Sequence, residues 1–179
     1  MKLLRTIRAD ASDTLVFERA AEPGEWAVSG AFAFARADPE ALERKARAAF
    51  RFGFLSVSSL GWSTLVEIVE ASEEDRLQAT DILATQLLAH FGAPDLGTAR
   101  LAAEEEITFA ASLCNHPTGT LAAVSRSIEN GSVREVFRAL GPNVSSGPTR
   151  VFEAIEEVGD EEAQTGDIDS PAPAKGDRG

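Results

Sequence analysis

The chain has no tyrosine, one cysteine, one methionine and two histidines. The single thiol, Cys114, has no intramolecular partner for a disulfide, and one cysteine with two histidines falls short of the roughly four ligands of a structural zinc site. No apolar run approaches the ~18 residues of a membrane-spanning helix. Met1-Lys2-Leu3-Leu4-Arg5 lacks the layout of an export signal. These absences predict a cytoplasmic protein with no metal site and no cofactor. Also missing are a glycine-rich phosphate loop ending in Lys-Ser/Thr, a G-x-G-x-x-G after a strand, a G-x-S-x-G and an H-E-x-x-H. An enzyme built on those common routes is therefore not expected.

What is present is globular in character: hydrophobic residues make up 44% and charged residues 26% of 179, within the ordinary range. A core of ~150 residues buries roughly 70% of its unfolded surface, so one domain is self-sufficient. The net charge is −12, but nine acids from Glu153 onward face only Lys175 and Arg178; removing that −7 leaves −5 for residues 1–152. The sequence thus divides into a single domain over 1–141 and an acidic, largely disordered tail over 142–179, with a short helix over 150–158. So mild an acidity in the domain speaks against nucleic acid or an anionic membrane as partner, since both are bound through Lys and Arg clusters.

The segment Phe54 to Glu70 organises the rest. Phe54-Leu55-Ser56-Val57 and Leu65-Val66-Glu67-Ile68-Val69 flank Gly61-Trp62 and predict a hairpin with Trp62 at its turn. Met1–Arg8 and Thr14–Glu18 are expected strands separated by a turn. Trp26, Val28, Phe32 and Phe34 recur with the period of two of a third strand, interrupted at Gly30 by a bulge. Asp38-Pro39-Glu40 opens a helix running to Phe52, buried through Leu42, Ala46, Ala49 and Phe50, with Gly53 as its left-handed cap.

Ser72 and Asp75 form a capping box for a helix reaching Phe91, with Leu77, Thr80, Leu83, Ala84, Leu87, Leu88 and Phe91 as its buried stripe. After Gly92-Ala93-Pro94-Asp95 a third helix turns Ala99, Ala103, Ile107, Ala110, Ala111 and Cys114 to one side. Asn130-Gly131 then centres a type I′ hairpin in which Ile128 faces Val133, Arg126 faces Glu135 and Val124 faces Phe137. The expected fold is α+β, with a mostly antiparallel sheet, the order βββ-α-ββ-αα-ββ, and helices packed on one face.

Few residues carry chemistry. Cys114 and His116, with Glu104 and Glu105, are the tightest grouping of nucleophile, imidazole and carboxylates, and are the candidate catalytic or metal-binding set. Positions i and i+2 diverge on a helix, and a cysteine on an apolar face behaves as a small hydrophobe, so the packing reading is the stronger one. Glu104-Glu105-Glu106 points three ways around its helix, and Glu104 lies one turn from Arg100, where an ion pair is expected. Arg44, Arg47 and Arg51, beside Lys45, form a cationic stripe suited to an acidic partner or simply to solvent. Trp62 either folds over the sheet or stays exposed as an interface anchor.

Phe17–Phe32 (FERAAEPGEWAVSGAF), Leu60–Ser72 (LGWSTLVEIVEAS) and Ala102–Cys114 (AAEEEITFAASLC) resemble a family of small bacterial proteins known only as a domain of unknown function. The resemblance covers roughly residues 1–140 and carries no catalytic residues. It implies an accessory role beside enzyme-maturation or redox systems. The expected function is thus a non-enzymatic accessory or protein-binding domain. The rival is a small enzyme or a ligand- or metal-binding protein with its site around Cys114 and His116. A homodimer through an exposed sheet edge stays open.

Overall fold

A computed structural model describes residues 1–141 and the backbone of Glu157–Val158. The strands are β1 (Lys2–Thr6), β2 (Trp26–Val28), β3 (Phe54–Ser56), β4 (Trp62–Ser63), β5 (Leu65–Glu70), β6 (Leu121–Glu129), β7 (Ser132–Leu140) and the two-residue β8 (Glu157–Val158). The helices are α1 (Ser12–Val16), α2 (Arg44–Phe52), α3 (Glu73–His90) and α4 (Leu96–Ser112). The sheet runs β4-β3-β2-β1-β5-β6-β7-β8, with every strand pair antiparallel. The fold is α+β, as the sequence predicts. The acidic tail lies outside the described residues, and the last two positions of the helix expected over 150–158 are β8.

The strand order forces the sheet to curl. Only Thr64 separates β4 from β5, yet β3, β2 and β1 lie between them. Four inter-strand steps across a flat sheet are ~19 Å, whereas two residues of chain reach about 7 Å. The β4 edge must therefore return to β5, and Asp13 of α1 holds it there. Buried Asp13 accepts from Thr64 Oγ1 at 2.8 Å and from Thr64 N at 3.3 Å. Ser63 Oγ donates to Ile7 O at 3.0 Å. This bracket explains why residues around Thr14–Glu18 form a short helix, where strand propensity predicts a strand: the tertiary contacts of Asp13, with Asp10 Oδ1 accepting from Ser12 N at 2.7 Å, outweigh it.

The hairpin expected between Phe54 and Val69 is likewise different. β3 pairs with β4, so Trp62 stands in a strand; β5 leaves for β1 and β6. The turn is the serine-rich stretch before Gly61, where Ser56 Oγ accepts from Ser58 N and Ser59 N at 3.1 and 3.2 Å. The strand expected to reach Phe34 ends at Val28, and Ala31–Phe34 is a 3-10 turn. The helix expected from Asp38 is broken: Asp38 caps a 3-10 turn at Pro39–Ala41, Leu42 and Glu43 are extended, and α2 starts at Arg44.

The capping and hairpin expectations hold, whereas the buried stripe expected on α3 is overturned at Leu77 and Leu88. Ser72 and Asp75 make the capping box reciprocally, at 3.1 and 2.8 Å. Asn130 and Gly131 both take positive φ, and the β6–β7 register pairs Ile128 with Val133, Arg126 with Glu135 and Val124 with Phe137. In α4 the inner residues are Ala99, Ala103, Ile107 and Ala110, followed by buried Cys114; these small side chains let α4 approach β1 and β2. α3 lies on α4, and there Ala79 takes an inward place while Leu77 and Leu88 are each 40% exposed.

Candidate functional site

Trp62 is half-buried in a slot made by Gly30, far from it in sequence, and Gly53, which immediately precedes the strand paired with its own. Gly30 adopts φ +82, and a Cβ there would lie 2.6 Å from Leu55 Cβ and 2.9 Å from Trp62 Cζ3. At Gly53 a Cβ would lie 2.6 Å from Trp62 Cε3 and 2.7 Å from Ala49 O. The bulge expected at Gly30 and the left-handed cap expected at Gly53 are thus both replaced by close approach of the indole; Gly53 is extended, at φ −95. Phe34 stacks against Trp62 at a centroid distance of 5.3 Å. Both rings line an open cleft of about 600 Å³, bordered also by Glu18, Arg19, Lys45, Leu60 and Phe91.

A buried arginine fixes this slot. Arg126 follows Ala122 and Val124 on the inward side of β6, and its side chain is 0% exposed. Its Nε donates to Glu135 Oε2 at 2.7 Å, and its Nη1 donates to Phe50 O at 2.9 Å and Gly53 O at 2.8 Å. Nη2 donates to the Ser29 carbonyl and, at 3.0 Å, to Ser29 Oγ, which itself donates to Glu135 Oε2 at 2.6 Å. The guanidinium therefore grips the residue before Gly30, Gly53 itself and the C-terminal carbonyls of α2, where a cation is also favoured by the helix dipole. Burial pushes the Arg126 pKa down, and Glu135 opposes that shift. The Arg126–Glu135 pairing is legible from the hairpin register. The clamp itself is not legible there, although an arginine at an inward position of an apolar face is its one local signal.

The grouping around Cys114 does not converge. Cys114 is 4% exposed, and its Sγ donates to Ala110 O at 3.3 Å. Burial pushes the thiol up to about 11, the reverse of activation, with Lys2 only partly opposing it. The His116 carbonyl accepts from Lys2 Nζ at 2.7 Å. Glu104 pairs with Arg100 at 3.7 Å, as its spacing predicts, and Glu105 is exposed. Among the described residues no three His, Cys, Asp or Glu side chains are grouped to hold a metal ion.

The cationic stripe divides. Lys45 borders the Trp62 cleft, whereas Arg47 and Arg51 share a separate groove with Ser127 and Ile128. Arg47 is engaged locally, donating to Leu42 O at 2.9 Å and Glu40 O at 3.2 Å. Arg44 is exposed and lines neither hollow.

A model described as a family of unknown function, DUF6505, matches residues 1–149. The chain belongs to DUF6505. The match spans β1 to β7, all four helices and hence the whole Trp62 slot of this DUF6505 chain. No curated protein and no solved structure matches it. Among the described residues, no helix is long and apolar enough to cross a membrane.

Proposed function

We propose that this chain is a non-enzymatic accessory module that binds a protein partner through the Trp62 cleft. The observation that carries the reading is the preformed slot: two glycines and a buried arginine hold a half-buried indole at the wall of an open cleft. Preorganised aromatic side chains lose little freedom on binding and dominate interface energetics. The reading includes a cytoplasmic setting and a partner in an enzyme-maturation or redox system. Lys45 and Arg19 on the cleft's edge favour a partner segment that brings an acidic group beside an apolar one.

The test is affinity capture from the encoding organism with the wild type and Trp62→Ala, followed by titration with the purified partner. A stoichiometric partner whose affinity falls ~30-fold or more in Trp62→Ala, and falls also in Lys45→Glu, supports the reading. Lys45→Glu leaves the packed indole in place, so it separates a binding defect from a folding one. Equal affinities in all three proteins refute the cleft as the binding surface. Deleting residues 142–179 measures separately whether the acidic tail contributes.

A further inference from the structure

Of the three glutamates in a row on α4, Glu106 is the one that lines a surface hollow. With Thr98 and Ala102 it forms a stripe at intervals of four, facing Phe32, Phe91 and Leu87 across a hollow of about 260 Å³. Phe32 and Phe91 meet edge to face at 5.2 Å, and Phe91 also borders the Trp62 cleft.

No cation is paired with Glu106. Arg126 of β6 is committed to Glu135 of β7 at 2.7 Å. Glu106 takes no hydrogen bond or ion pair among the described residues; it feels Glu135 and Glu105 as like charges and Arg126 as a weaker attraction. Arg36 stands at the rim, its guanidinium 3.4 Å from where a Cβ on Gly92 would be. The half-buried Glu106 carboxylate is thus left unpaired at a hollow whose far wall is aromatic and aliphatic. A carboxylate in so partly desolvated a place is stabilised by a bound cation. Phenyl rings beside it favour a cation that carries apolar surface.

We infer that the Glu106 hollow is a binding site for a small free organic amine, taken as its ammonium ion by Glu106 with its apolar body against Phe32 and Phe91. This site is distinct from the Trp62 cleft and does not depend on the role proposed there. Its volume is below the usual ~300–1,000 Å³ of sites for drug-sized ligands, which limits the ligand to about one ring or a short chain.

Phenethylammonium, with 2-phenylethanol as its neutral counterpart, tests the site through the backbone amide resonances of Ala93, Thr98 and Ala102. The expected result is saturable shifts at those amides, with the alcohol at least ~10-fold weaker, since the ammonium contributes a charge-assisted bond. Glu106→Gln should weaken the ammonium by the same factor, whereas Glu104→Gln, an equal charge change on the Arg100 side of the helix, should not. Burial pushes the Glu106 carboxyl up to about 7. Affinity should therefore fall about 10-fold from about pH 8 to about pH 6, following the ionised fraction. No saturable shift, equal binding of amine and alcohol, or unchanged binding in a folded Glu106→Gln protein overturns the site. A lysine side chain in a short peptide binding more tightly than the free amine overturns the assignment to a free ligand.

Discussion

Arg126→Met should be among the most damaging single substitutions in this domain. The methionine fills much of the vacated space but offers no donor. The carbonyls of Phe50, Gly53 and Ser29 then lose their guanidinium partner, and Glu135 keeps only the Ser29 hydroxyl at 2.6 Å. Each orphaned buried acceptor costs about 1–3 kcal/mol, and an uncompensated carboxylate adds to that. Water entering beside the shorter side chain returns part of the loss. The expected net cost is the ~3–5 kcal/mol typical of breaking a buried ion pair, a large share of the ~5–15 kcal/mol available to a domain.

Urea unfolding followed by circular dichroism measures this as a lower midpoint at unchanged slope. The same experiment on Arg126→Met/Glu135→Leu should recover only the share owed to the stranded charge, because the carbonyls of Phe50, Gly53 and Ser29 stay without a donor. In a Trp26→Phe background Trp62 is the remaining indole, and Arg126→Met should shift its emission to the red as Ser29 and Gly53 come loose. A cost below ~1 kcal/mol, or an unmoved Trp62 emission in Arg126→Met, refutes the account of Arg126 as the clamp of the slot.

Glu106 has a pH signature of its own. Burial first, then Glu135 and Glu105, raise its carboxyl from 4.5 to about 7. Between those values the folded state holds more protons than the unfolded one, so this group's contribution to stability declines as pH rises through the window. The ionised form costs at most ~3 kcal/mol; Glu106→Gln should flatten the fall in urea midpoint between about pH 5 and about pH 8, and an unaltered slope refutes the assignment. Cys114, with a thiol near 11 and 4% exposure, should react with iodoacetamide near neutral pH at least ~100-fold more slowly than in the urea-unfolded chain. Fast alkylation of the folded protein would restore the rival reading around Cys114 and His116.

What the sequence makes legible is what neighbouring residues decide. Asn130-Gly131 sets the β6–β7 register, Ser72 with Asp75 opens α3, and the small residues of α4 mark its inner face. What escapes depends on partners remote in the chain. Thr14–Glu18 has strand-forming side chains, but Asp13 is needed at Thr64, some fifty residues away, and a helix results. The glycine at 30 has a local reason in its positive φ, but the crowding by Leu55 and Trp62 that also demands it arises only once β2, β3 and β4 are paired. Arg126 and Glu135 are recognisable as a pair. Their burial depends on carbonyls of Phe50, Gly53 and Ser29 that no local pattern reveals.

The two hollows are linked by more than proximity. Phe91 borders both, and Glu135, which anchors the clamp behind the Trp62 slot, is also the carboxylate that repels Glu106. A cation bound at Glu106 would lower that repulsion but also offset the attraction between Glu106 and Arg126. Occupancy of the hollow would therefore act on the clamp through two opposed electrostatic contacts, and their sum decides whether the slot tightens or loosens. By reciprocity, any ligand on the Trp62 cleft that distinguishes the clamped slot should change amine affinity at Glu106 by the same factor as the amine changes its own.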